Sequence, residues 1–242
     1  MKTRLLIAAS FLAFPLLSQA NPVPVDAPIT KIFVPQGFDD NDNSEVVIHG
    51  EFPSSCYKIG SVKADIDEES KEIAVSASAL FYPDSVCIQS VTPFIQSVNV
   101  GVLKEGTYKA KMKDNAKVTR EFSVSRRTTE SPDDFLYAPV ENAYLEVDYA
   151  TGKQSIKLQG TFPYLFIGCM VIKEVRSYQA PSDVLVVLPI AEIVDGPQCE
   201  AQGEDPSFQY TQGLSQPFSG EGLMHVRTLH GNSLNRFLQV LQ

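Results

Sequence analysis

Gly50-Glu51-Phe52-Pro53-Ser54-Ser55-Cys56 decides the reading of this chain, because the same text returns as Gly160-Thr161-Phe162-Pro163 followed by Cys169. The repeat extends outward from this seed. Upstream, Ala27-Pro28-Ile29 recurs as Ala138-Pro139-Val140, and downstream Glu105-Gly106-Thr107-Tyr108 aligns with Glu221-Gly222-Leu223-Met224. Cys56 and Cys87 stand 31 positions apart, and Cys169 and Cys199 stand 30 apart. Two copies of one domain follow, residues 26–125 and 136–241, each near the ~100 residues at which one core becomes self-sufficient. The polar segment 126–135 is the expected linker, long enough for relative motion and, with Pro132, equally able to hold a fixed angle. Each copy carries its own strands and cysteine pair, so 26–125 alone is expected to fold.

Residues 1–20 read as a secretory signal peptide. Met1-Lys2-Thr3-Arg4 is basic, Leu5 to Leu17 is apolar apart from Ser10 and Pro15, and Ser18-Gln19-Ala20 supplies small residues for cleavage. The apolar run is too short to span a bilayer, and no later stretch is long enough. The expectation is a secreted or periplasmic protein with no membrane span. In an exported chain, four cysteines at repeated spacing point to two intradomain disulfides, Cys56 with Cys87 and Cys169 with Cys199, rather than to a metal site. Closing a 31-residue loop contributes about 3.7 kcal/mol on the chain-entropy estimate.

The formal net charge is −9, and it becomes −11 once Lys2 and Arg4 leave with the signal. Nucleic acid and anionic membrane surfaces are poor partners for such a chain. Short segments rich in Val, Ile, Phe and Tyr alternate with turn residues, which predicts an all-β fold of two β-sandwiches. Strands are expected near 29–35, 45–52, 57–65, 71–81, 94–102, 106–113 and 117–125. Their counterparts lie near 140–149, 154–162, 169–177, 183–194, 207–212, 222–229 and 234–241. In the last hairpin of the first copy, pairing Tyr108 with Phe122 and Lys109 with Glu121 keeps the apolar residues on one face, whereas a one-residue slip mixes the faces.

Candidate chemistry is sparse. His49, His225 and His230 align with Gln159, Lys109 and Asp114, so no histidine recurs, and surface or turn positions are expected for all three. There is no Gly-x-Ser-x-Gly elbow and no phosphate-cradling loop. The run Asp39-Asp40-Asn41-Asp42-Asn43-Ser44-Glu45 offers oxygen ligands, but Glu45 stands where a calcium loop needs glycine, so a polar turn is expected. Arg120 and Arg236 share faces with apolar residues, which suggests a salt bridge or a guard on a sheet edge. No catalytic, metal or cofactor residue is assigned, and no enzyme activity is expected. The copies differ in length between the second cysteine and the hairpin glycine, 19 positions from Cys87 to Gly106 against 23 from Cys199 to Gly222. That makes 196–222 the candidate binding loop, with Tyr210 and Phe218 for apolar contact and Glu204 and Asp205 for polar contact.

An export signal followed by tandem disulfide-bearing repeats resembles bacterial secreted or periplasmic proteins built from tandem immunoglobulin-like β-sandwiches. The resemblance is one of architecture; the leading expectation is a non-catalytic exported binding or envelope-associated protein with a protein or envelope component as partner. The alternative is an edge-strand peptide binder, such as a periplasmic chaperone or a protease inhibitor. The absence of tryptophan separates the chain from antibody-type domains.

Overall fold

The computed structural model describes residues 21–180, 183–196, 199 and 205–240. Residues 1–20, where the sequence suggests a signal peptide, lie outside them. The first half contributes β1 (Val23–Asp26), β2 (Ile29–Phe33), β3 (Ser44–Phe52), β4 (Tyr57–Asp67), β5 (Glu72–Phe81), β6 (Thr92–Gly101), β7 (Gly106–Met112) and β8 (Thr119–Val124). The second contributes β9 (Val140–Asp148), β10 (Lys153–Thr161), β11 (Met170–Gln179), β12 (Val184–Ile193), β13 (Ser207–Gly213), β14 (Gly220–Thr228) and β15 (Asn232–Val240). The fold is all-β, with short 3₁₀ turns at Tyr164–Phe166 and Leu229–Gly231. Cys56 is bonded to Cys87 and Cys169 to Cys199.

Four sheets result. Sheet I has the order β4-β5-β7-β8, with β1 also pairing with β5, and sheet II is β2-β3-β6. Sheet III is β11-β12-β14-β15 and sheet IV is β9-β10-β13, so apart from β1 the second half repeats the first strand for strand. With β1 set aside, in each half the third and fourth strands form a hairpin, and the fourth then pairs in parallel with the sixth: β5 with β7, β12 with β14. An immunoglobulin sandwich places the fourth strand in the other sheet. The likeness to that family is therefore one of layers and size, and the connectivity is different.

The recurring text now has a physical reason. A Cβ on Gly50 would sit 2.2 Å from the Pro28 carbonyl oxygen and 2.6 Å from the Phe94 ring, and one on Gly160 would sit 2.1 Å from the Pro139 oxygen and 2.8 Å from the Phe208 ring. Only glycine lets the Ala-Pro segment and the aromatic approach the strand this closely. The seed phenylalanines complete the arrangement, Phe52 stacking on Phe94 at 4.3 Å and Phe162 on Phe208 at 4.6 Å.

The hairpin register Tyr108 with Phe122 and Lys109 with Glu121 is as the alternation predicts. The alignment of the two hairpins is not. Gly106 pairs with Val124 and Gly220 with Val240, and Lys71 and Asp183 accept from the amides of Lys109 and Leu223. Gly106 therefore corresponds to Gly220, two residues before the glycine that sequence similarity selects. Tyr108 then corresponds to Gly222, and a side chain at 222 would collide with the Phe218 ring at 2.5 Å. In the second half Phe218 fills the core volume that Tyr108 fills in the first.

Candidate functional site

Successive residues on a strand face opposite sides. In sheet II, Val46 and Ile48 point into the core of the first half, whereas Val47 points out beside Phe33 and Ile95. In sheet III, Leu185, Val187, Met224 and Val226 point into the core of the second half, whereas Val184, Val186 and Leu223 point out beside Leu188 and Phe237. These two outward faces pack on each other and bury a third apolar cluster. The ring of His49 stacks on Phe237 at 3.9 Å. The molecule is thus four sheets deep in the order I, II, III, IV, and its middle layer belongs to both halves.

The equivalent positions on the two outermost faces are polar apart from Ala74. Tyr144, Lys157 and Gln209 on sheet IV replace Phe33, Val47 and Ile95, while Glu72, Ala74, Ser76, Lys109 and Glu121 on sheet I replace Val184, Val186, Leu188, Leu223 and Phe237. Here the copies diverge most in chemistry. The divergence makes one internal interface and leaves the outer sheets hydrophilic.

Polar groups frame this interface. At the Glu221 end of β14, Glu221 pairs with Lys31, and Arg120 reaches Asp183. This assigns Arg120 the salt-bridge role expected for it, with a partner in the other half; Arg236 donates instead to Asn142 within its own half. At the other end of β14, Arg227 is buried against Asp42, and burial works against its charge, but the carboxylate outweighs burial and holds the guanidinium above its ordinary pKa. The acidic run is accordingly a structural turn. Asp42 accepts from the Asp39 amide, Asp39 from the Asn41 amide, and Asp40 from the Arg127 amide, so the turn also pins the linker.

Beside Arg227 a polar cleft of about 490 Å³ opens between the halves, lined by Phe38, Glu45, Ser97, Asp133, His225 and Ser233 among others. Glu45 Oε1 accepts from Ser233 Oγ at 2.7 Å and Asn235 Nδ2 at 2.9 Å, and lies 3.0 Å from His225 Nδ1. Burial alone would raise the Glu45 pKa; the bonds and charge of His225, with those of Asn235 and Ser233, lower it instead. His225 Nε2 has no partner among the described residues. Ser97 and Ser233 are both engaged by Asn235. The arrangement orients an imidazole but sets no nucleophile against it, and no group of three or more His, Cys, Asp or Glu among the described residues is placed to hold a metal. The expectation of surface or turn histidines therefore needs correction. Only His230 sits in a turn, while His49 and His225 are buried between the sheets, a position that copy-to-copy comparison could not reveal because no counterpart is buried.

The candidate loop is dispersed. Glu204 lies outside the described residues. Asp205 is exposed and accepts from the amide and hydroxyl of Ser207, a local turn bond. Tyr210 is half-buried on β13 against the core of the second half. Phe218 is 0% exposed and its backbone is held by the Gln154 side chain, so it is a core residue. The length difference that singled it out shrinks once Gly220 is taken as the hairpin glycine.

A different departure leaves large side chains outside. Between the seed proline and the first cysteine the second half has Tyr164-Leu165-Phe166-Ile167-Gly168 where the first has only Ser54-Ser55. The insertion forms the 3₁₀ turn, and Tyr164 and Leu165 are 87% and 86% exposed. The signal was present in the sequence as an apolar triplet interrupting the repeat, next to the Cys169–Cys199 disulfide.

Residues 46–124 match the family described as the ORF11 beta-sandwich domain. The match runs from β3 to the end of β8, through both sheets of the first half, and supports the sandwich architecture. No curated protein and no solved structure matches the chain.

Proposed function

We propose that the chain is a non-catalytic exported binding protein in which the two sandwiches act as one rigid body and present the Tyr164-Leu165-Phe166 turn to a protein partner. One observation carries this reading: two large apolar side chains stand more than four-fifths exposed on a turn that only one copy possesses. Burying such residues at an interface gives roughly 1.5–3 kcal/mol for a leucine-sized side chain, and tyrosine is among the residues that dominate interfaces. The sandwich core does not need them. The net charge makes an anionic lipid surface a weaker fit than a protein.

A photo-crosslinking residue placed at position 164, with position 149 as control because Tyr149 is also strongly exposed, tests the proposal in the native host. A discrete heavier adduct from 164, lost in a Leu165→Ser chain with an unchanged melting transition, is the expected result. Equal labelling from both positions, or none, would overturn it.

A further inference from the structure

A sheet edge offers unpaired backbone groups, and proteins guard it with charges, proline or bulges. Every edge strand but one follows this rule among the described residues. β4 has Lys58, Lys63, Asp65 and a bulge; β8 has Arg120 and Glu121; β2 has Lys31 and a bulge; β6 has Pro93. β9 has Glu141, Glu146 and a bulge, β11 has Lys173, Glu174, Arg176 and a bulge, and β15 has Arg236. The exception is β13, Ser207-Phe208-Gln209-Tyr210-Thr211-Gln212-Gly213, without charge or proline and in unbroken register with β10 over all seven residues.

We propose that β13 pairs antiparallel with β13 of a second copy of the chain, about a two-fold axis at Tyr210, joining two copies of sheet IV into one six-stranded sheet. Phe162 donates to the Pro206 carbonyl and Leu214 donates to that of Gln154, so even-numbered residues of β13 bond to β10 and odd-numbered ones turn their N–H and C=O outward. A two-fold axis at residue 210 sets Gln209 opposite Thr211 of the other copy, and both are odd. The required parity is met, and these two residues give four hydrogen bonds across the axis. Tyr210 meets its own equivalent at the close, non-bonded type of pair, where side chains approach most nearly.

The same register opposes Phe208 to Gln212 and Ser207 to Gly213, with no like charges facing. On the other edges self-pairing brings charges together, for example Glu141 and Glu146 of β9 or Arg236 of β15. Two-fold dimers are the commonest assembly, and each side of this contact is the same strand. Both copies carry net negative charge, so salt should strengthen their association by screening the long-range repulsion.

Sedimentation of residues 21–242 from micromolar to submillimolar concentration tests the pairing. The expected result is a reversible dimer that tightens with salt. Thr211→Pro removes an outward N–H at a site where an edge strand accepts proline, and it should return the chain to monomer with its melting transition kept. If that variant fails to fold, Gln209→Lys, which alters only an exposed side chain, should do the same. A chain that is monomeric throughout the range overturns the proposal, as does a dimer that survives the folded variants or a monomer that instead takes an unrelated extended peptide along β13. Leu165→Ser should leave the association unchanged, which separates this pairing from the partner contact proposed at the 3₁₀ turn.

Discussion

Arg227 and Asp42, 185 positions apart, form a two-pronged ion pair between the halves, Nη1 to Oδ1 at 2.9 Å and Nη2 to Oδ2 at 3.0 Å. Both side chains are buried, and the Phe38 ring lies 4.7 Å from the guanidinium. The pair joins the linker-facing turn of the first half to the last strand pair of the second.

Removing one member should cost far more than removing both. Arg227→Met leaves Asp42 buried and unpaired, an expected loss of about 3–5 kcal/mol, whereas Arg227→Met with Asp42→Leu should be near neutral. Urea denaturation of the two single variants and the double gives the coupling. A loss in the double equal to the sum of the two single losses would show that the pair contributes no coupling.

The isolated first half, residues 26–125, keeps its own core and disulfide and is expected to fold, but with Phe33, Val47 and Ile95 bared it should self-associate and bind a hydrophobic dye. The second copy supplies the remedy. Phe33→Tyr, Val47→Lys and Ile95→Gln, the residues at 144, 157 and 209, should make the fragment monomeric without lowering its melting temperature. Sedimentation and dye fluorescence read the outcome, and a fragment that is monomeric without the substitutions would mean that the interface contributes little.

The strands and their register were legible because one face of each outer sheet is wet and alternation survives there. In Glu72-Ile73-Ala74-Val75-Ser76-Ala77 polar or small residues alternate with apolar ones, and burial alternates with them. The interface was legible too: the equivalent stretch Val184-Leu185-Val186-Val187-Leu188 is apolar throughout, the mark of a strand covered on both faces. What sequence could not give was the partner of that second face, which is set by contacts between residues far apart in the chain. Nor did it give β1, where Pro24, flanked by Pro22 and Pro28, argues against a strand although four residues suffice to pair with Ser78–Phe81 of β5. Phe218 was misread for a different reason, since matching Gly106 to Gly222 turned a core phenylalanine into an apparent loop residue.

His49 should make stability depend on mildly acid pH. Burial, the leading influence, holds its imidazole below the ordinary 6.5, with Lys31 in the same sense and Glu51 and Glu221 opposing. The unfolded chain therefore takes up the proton first, and the neutral ring stabilises the fold above pH 6.5, a contribution lost as pH falls from there through the lowered folded value. His49→Gln, which installs the residue found at 159, should flatten the loss over that interval. Denaturation midpoints across pH 7 to 5 test this, and parallel curves for the two chains would assign the dependence elsewhere.

Phe218 provides the sharpest contrast between the two readings. If it were a loop contact, truncation would weaken binding and spare the melting transition. As a ring filling the volume left by Gly222, its replacement by alanine opens a cavity and should cost about 3–5 kcal/mol. Gly222→Tyr alone should also be severe, because the new side chain meets the Phe218 ring and the Asp183 carbonyl oxygen, the latter at 2.2 Å from the added Cβ. The first half shows that a tyrosine at the equivalent strand position, Tyr108, is compatible with the fold when no ring competes for the space. Combining Phe218→Ala with Gly222→Tyr removes the collision between rings and refills the cavity from the opposite side. The double variant should therefore be less destabilised than the sum of its parts, although the close Asp183 carbonyl prevents full recovery. Thermal denaturation of the four chains settles it. Strict additivity would mean that the two residues do not share one volume, and the correspondence of Tyr108 with Gly222 would fall with it.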